Sequence, residues 1–231
     1  MSEDRKESLT EKKISRRSVL RWVGALGASV AVGAGLEYGA AQILVTPQPV
    51  TKVATVSEAF KNRKSTNSFQ PQPLSNERLL DLLWAAWGIN RPDSGKRTAP
   101  SAMNSQEIDI YVLLPEGVYV YDAKGNQLTP VLAQDLRTKA ATQAFMREAP
   151  VHLLFVADYA KFRANTPQAQ KELFSAAHTG FIGQNVYLYC ASIGLGAHFH
   201  TSIDRASLKD SLKLRDDQAI VFAQAVGYPK T

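Results

Sequence analysis

The chain has 231 residues and a mass of 25.3 kDa, with 45% apolar and 21% charged residues, which excludes disorder, a collagen-like repeat and a disulfide-built miniprotein and leaves one domain with an ordinary core. Of the formal net charge of +6, two lie in residues 1–41, and the remaining +4 is spread without a basic run, so nucleic-acid binding has little support. The single cysteine, Cys190 in the apolar segment YLYCASIG, cannot close a disulfide within the chain and reads as buried packing.

Residues 1–21 are polar and charged and close with Ser15-Arg16-Arg17-Ser18-Val19-Leu20-Arg21; an apolar stretch follows at residues 22–36. That stretch is shorter than the ~20 residues a membrane-spanning helix needs. The segment resembles a twin-arginine export signal, with Val19 where the pattern has Phe and Arg21 where it has Lys. Gly39-Ala40-Ala41 offers small residues for cleavage before Gln42. The resemblance implies recognition by the twin-arginine translocation machinery, a periplasmic or extracytoplasmic location, and a cofactor inserted before export. Two alternatives stand beside it: a basic amphipathic N-terminal helix, and an uncleaved signal serving as a membrane anchor, since Tyr38 to Val45 extends the apolar run past Glu37. Residues 1–41 are thus the leader, 42–56 a linker with Pro47 and Pro49, and 57–231 the folded domain.

Ser75 caps a predicted helix, NERLLDLLWAAW, that places Leu79, Leu83, Ala86 and Trp87 on one stripe and stops at Gly88. Residues 88–106 concentrate Gly, Pro, Ser and Asn in a long polar loop. Residues 108–114 and 118–122 are β-branched and aromatic and form a hairpin around Pro115-Glu116-Gly117. Thr129-Pro130 reads as an N-cap with proline at the first helical position, predicting a helix to about Glu148 before Pro150. The unbroken apolar run at 151–157 reads as an interior strand. Thr166-Pro167 opens a helix over residues 168–193, roughly 40 Å long at 1.5 Å per residue, ended by Gly194. Gly180 and Gly183 inside it suggest close approach by another helix or a ligand. Residues 218–226 form the last strand.

Two loop-borne clusters carry chemistry. Arg63-Lys64-Ser65-Thr66-Asn67-Ser68-Phe69 sets two cations before hydroxyl and amide groups and an aromatic anchor, a composition suited to an anion with a polyol attached. Pro100-Ser101-Ala102-Met103-Asn104-Ser105-Gln106 offers hydroxyls and amides just before a strand. Together with Gly183-Gln184-Asn185, the turn Gly194-Leu195-Gly196 and the closing Gly227-Tyr228-Pro229, these segments resemble the FMN-dependent nitroreductase family. WAAWGINR and GKRTAPSA are similar to the branch that includes the oxidases of azoline-forming peptide synthetases.

The resemblance implies an α+β fold, a three-layer α-β-α sandwich around a mixed or antiparallel sheet, assembled as a homodimer with FMN at the twofold interface. It implies that Arg63, Lys64 and Ser65 hold phosphate and ribityl, that Asn104 bonds a polar edge of the ring with Pro100 and Ser101 beside it, and that Gly194 and the loop Gly196 to His200, including Ala197 and His198, lie against the other face. Asn67 stands where the family has Arg or Lys, removing a charge unless Lys96 or Arg97 compensates. The basic tail of relatives is missing, leaving Arg205 or Lys230 as substitutes.

His198 and His200 are candidate proton donors; without a third ligand nearby they do not read as a metal pair. His178 reads as packing or a dimer contact, and His152 as a satisfied interior imidazole. The function implied is an exported FMN-dependent oxidoreductase with a ping-pong cycle and a small organic acceptor. The alternative is a flavin-binding relay or carrier serving a membrane redox partner.

Overall fold

The computed structural model describes residues 54–230. The readings on the leader, its cleavage site and most of the linker lie outside these residues. Thr55 and Val56, placed at the linker's end, begin the folded part: Thr55 accepts from the Glu58 amide while the Glu58 carboxylate accepts from the Thr55 amide, a reciprocal capping box. Helix α1 (Val56–Asn62) follows, and α2 (Asn76–Trp87) starts at the expected Ser75 cap. Its buried stripe, Leu79, Leu82, Leu83, Ala86 and Trp87, faces the sheet, each buried leucine contributing about 1.5–3 kcal/mol. Trp87 fixes the helix to the first central strand by donating from Nε1 to the Ile108 carbonyl at 2.8 Å.

The polar stretch 88–106 is more ordered than a loop. It holds a short antiparallel hairpin, β1 (Ile89–Arg91) and β2 (Lys96–Arg97), joined through a 3-10 turn at Pro92–Ser94, and a second 3-10 turn at Ala102–Asn104. Strands β3 (Ile108–Leu114) and β4 (Gly117–Asp122) form the expected hairpin. The helix predicted from Thr129-Pro130 is absent: residues Gln127–Leu132 are strand β5, followed by the short helix α3 (Arg137–Ala140) and one 3-10 turn. The reason is position, since β5 is an edge strand, where a proline lacking its N–H costs no ladder bond.

Strand β6 (Val151–Asp158) is buried along its whole length, helix α4 (Gln168–Ile193) has the predicted bounds, and α5 (Arg205–Ser211) precedes β8 (Gln218–Gly227). The segment expected as a loop after the long helix is instead strand β7 (Gly196–His200), an edge strand paired antiparallel with β8. The six-stranded sheet has the order β5-β4-β3-β6-β8-β7, and every pair within it is antiparallel. One face packs on α2 and α4 through Leu83, Ile110, Phe155, Ile182 and Val186; the other packs on α3 and α5 through Leu154, Ala140, Leu208 and Leu212. The result is the three-layer α+β arrangement.

Candidate functional site

The first cluster leaves α1 at its C-cap, Arg63, and is drawn onto edge strand β7. Ser65 bridges Ala197 in parallel register, and the Thr66 amide donates to the Ala197 carbonyl at 2.9 Å. Gly196 permits this approach: a Cβ there would lie 2.4 Å from Thr66 Oγ1. Gly194 ends α4 in the left-handed conformation, φ 77°, which turns the chain into β7. Arg63, Lys64, Ser65, Gly194, Gly196, Ala197 and His198 therefore occupy one neighbourhood.

The Arg63 guanidinium lies over the Tyr187 ring at 5.4 Å, and the Ser65 and Tyr187 hydroxyls are 2.9 Å apart. Among the described residues neither Arg63 nor Lys64 has a carboxylate partner. Two uncompensated cations beside hydroxyls fit a phosphate with a polyol. Asn67 is exposed next to them. The substitutes for a basic tail are engaged elsewhere: Arg205 donates to the Ile220, Val221 and Thr201 carbonyls, and Lys230 pairs with Glu148.

The second cluster is built differently. Met103, Asn104 and Gln106 all have positive φ, at 55°, 54° and 48°, each costing roughly 1–2 kcal/mol for an L-residue. A network holds them there. Ser101 Oγ accepts from the Gln106 amide at 3.1 Å, and the Gln106 side-chain amide donates to Asn104 Oδ1 and the Gly95 carbonyl. Arg97 donates to Gln106 Oε1 and the Trp87 carbonyl, both at 2.8 Å, with its guanidinium 4.8 Å from the Trp87 ring centroid. Because guanidinium only donates, this fixes the orientation of the Gln106 amide and, through it, of Asn104. Asn104 is exposed, and its N–H₂ has no hydrogen-bond partner among the described residues. Pro100, Ser101 and Asn104 line a cleft of about 290 Å³ with Arg91, Lys96 and Arg97. Of the two compensating cations weighed for Asn67, Arg97 is consumed by the loop, leaving Lys96.

The loop is tied to α4 by His178, whereas the first cluster meets α4 at Tyr187. These anchors are nine residues apart, about 14 Å along the helix axis and half a turn around it. Within one chain the two clusters lie on opposite flanks of α4.

The histidines sort by environment. His198 Nδ1 is 3.2 Å from the Thr66 carbonyl, which can only accept, so Nδ1 donates there. His200 is buried on β7 without a hydrogen-bond partner at either ring nitrogen, and burial first, then His198 and Arg205, push its pKa down to about 4. It is neutral at ordinary pH and inside the sheet, which removes it as a proton donor. His152 is fully buried as expected, but it is not satisfied: neither ring nitrogen has a partner, and its pKa falls to about 3, chiefly through burial. His178 is buried and hydrogen-bonded at both nitrogens, more than packing. Cys190 is buried, and burial pushes its thiol pKa up. Glu107 and Tyr187, which shape both clusters, carry no local sequence signal, since their partners lie 71 and 122 positions away.

A six-stranded antiparallel sheet between helical layers, with a cation-bearing segment docked on its edge strand, defines the class. A model of the nitroreductase family matches residues 60–228, and the chain belongs to that family. A nitroreductase-family structure from Ralstonia eutropha JMP134 superposes with a TM-score of 0.78 at 37% identity, covering 90% of this chain and 97% of that one. The nitroreductase-family protein MJ1384 of Methanocaldococcus jannaschii is 28% identical over 173 residues, 70% of this chain and 85% of that protein. A nitroreductase-family structure from Desulfovibrio desulfuricans, solved in complex with FMN, shares the fold at 21% identity with a TM-score of 0.56, over 77% of this chain and 88% of that one.

Proposed function

We propose that the protein is an FMN-dependent oxidoreductase acting as a homodimer. The observation that carries this reading is the docking of Arg63, Lys64 and Ser65 against Gly196 to His198, with both cations lacking a carboxylate among the described residues. Arg63 grips the phosphate as a fork and Lys64 as a point charge, each charge-assisted bond contributing about 1.5–3 kcal/mol. Ser65, its hydroxyl shared with Tyr187, bonds the ribityl chain. FMN held by these residues would supply two-electron redox chemistry between a donor and a small organic acceptor in a ping-pong cycle.

Asn104 donates from its free N–H₂ to the acceptor edge of the ring, and Lys96 favours negative charge there. His198 takes up a proton at Nε2 and delivers it to the reduced acceptor. Since the two clusters flank α4 on opposite sides, the ring meets residues 100–104 of a second copy. The exposed stripe of α4, Leu173, Ala177, Gly180, Phe181 and Gln184, is where that copy packs. Gly183 already receives the Phe199 ring within the chain, but a Cβ at Gly180 would meet nothing within 4 Å, so the approach expected at Gly180 falls to the second copy.

The leader reading places this activity outside the cytoplasm, where a quinone, a redox protein or a dehydrogenated organic substrate replaces a nicotinamide donor. The likeness to azoline-forming oxidases favours the last. The test is to load the purified chain with FMN, reduce it with dithionite and follow reoxidation by quinones, nitroaromatics and oxygen, then repeat with NADPH and organic donors. Turnover with any donor and acceptor pair supports the enzyme. Reduction by dithionite without turnover favours the relay, and no flavin uptake contradicts both.

A further inference from the structure

His178 sits on α4 with both ring nitrogens used. Its Nε2 is 2.8 Å from the backbone N–H of Ala102, and its Nδ1 is 2.7 Å from Glu107 Oε1. A backbone amide only donates, so Nε2 must carry a lone pair, and the one proton of the neutral ring is on Nδ1, donated to the carboxylate. Glu107 is fully buried at the start of β3, and its other oxygen accepts from Ser105 Oγ at 2.7 Å. Burial alone raises the pKa of this carboxyl, but the bonds from His178 and Ser105 outweigh it and hold the pKa below the ordinary carboxylate range.

The two residues therefore close a ring of contacts around the second cluster: Glu107 grips Ser105 and orients the imidazole, and the imidazole grips Ala102. Between those two points lie Met103 and Asn104, both in the left-handed region. Nothing in a packing role requires a carboxylate with no solvent exposure or a single tautomer. We infer that Glu107 and His178 are a positioning pair that holds residues 101–105 in the strained conformation presenting Asn104 to the ring. The inference rests on the flavin reading of that loop. The phenyl groups of Phe174 and Phe181 flank the imidazole at 6.1 and 6.4 Å, so an aromatic replacement preserves the packing while removing the acceptor.

That separation supplies the test. His178→Phe keeps a ring between Phe174 and Phe181 but has no lone pair for Ala102; His178→Gln loses the ring but keeps an acceptor near Nε2. Amide exchange at residues 101–106 of the full chain without FMN should speed by about tenfold or more in His178→Phe and Glu107→Ala, and stay within about threefold of the parent in His178→Gln. FMN affinity, read by flavin fluorescence quenching, and the shape of the bound flavin's visible band should follow the same order. Exchange in His178→Phe equal to the parent, or His178→Gln as fast as His178→Phe, would overturn the positioning role. If exchange follows the predicted order while the parent chain fails to bind FMN, the flavin assignment of the loop is overturned and the anchoring of the loop stands.

Discussion

Arg63 and Gly196 act on the same contact from two sides. Arg63 brings charge to the edge of β7, and removing its guanidinium forfeits a charge-assisted grip worth about 1.5–3 kcal/mol, so Arg63→Ala should weaken FMN binding by tenfold or more in a fluorescence titration without moving the unfolding midpoint. An unchanged affinity contradicts the phosphate assignment. Gly196→Ala reverses the balance. Its Cβ would fall 2.4 Å from Thr66 Oγ1 and 2.7 Å from Thr66 Cγ2, forcing the Ser65–Thr66 segment off the strand. Urea denaturation should show a loss of about 1–3 kcal/mol, accompanied by weaker FMN binding; a variant as stable as the parent shows that the segment has room to give.

The strands carry a pH dependence of their own. His152 on β6 and His200 on β7 have pKa values pushed down by burial to about 3 and about 4, against an ordinary value of about 6.5. Between these values the unfolded chain binds protons that the folded chain refuses, so stability rises with pH there. It is fully present above about 6.5 and lost as the pH falls toward 4 and then 3. His152→Leu removes one such group. Its denaturation midpoint at pH 5 should exceed that of the parent, with a shallower fall between pH 6.5 and 4. A slope as steep as the parent's would show that His152 is not the group refusing the proton.

The same elements show what a linear sequence discloses. Helices α2 and α4 were legible because their signals are local: a serine cap, an apolar stripe and a terminating glycine for α2, and for α4 a proline before the first turn and a terminating glycine, although Pro167 itself is the N-cap and Thr166 makes no capping bond. Thr129-Pro130 and Thr166-Pro167 carry the same opening signal, yet only the second starts a helix, because the first lies on the edge of the sheet, where a missing N–H is tolerated. Edge position is a property of topology and is invisible locally. The strand β7 was hidden for a related reason: GAHFH is short and interrupted by polar rings, and becomes a strand by pairing with β8. In the site, composition showed only two polar clusters, each an ordinary turn by itself, and their placement on opposite flanks of α4 and the buried Glu107–His178 pair depend on contacts across 71 or more positions.

At the scale of the whole molecule, α4 offers a face that the described chain does not cover. Leu173 is 65% exposed and Phe181 48% exposed, with Ala177 and Gly180 leaving room between them for a second helix to approach. Phe181→Glu places a charge in the middle of that face; on the homodimer reading proposed above, sedimentation equilibrium should find the parent dimeric and the variant monomeric, with loss of flavin binding if the ring needs residues from both copies. A variant that stays dimeric puts the interface elsewhere. The proposed activity depends on one nucleotide held by the segment docked on β7. The direct measurement is equilibrium titration of the purified chain with FMN, with stoichiometry read from quenching of flavin fluorescence. One FMN per chain, bound at least tenfold more weakly by Arg63→Ala, is the predicted result; no saturable binding, or equal binding by Arg63→Ala, would contradict it.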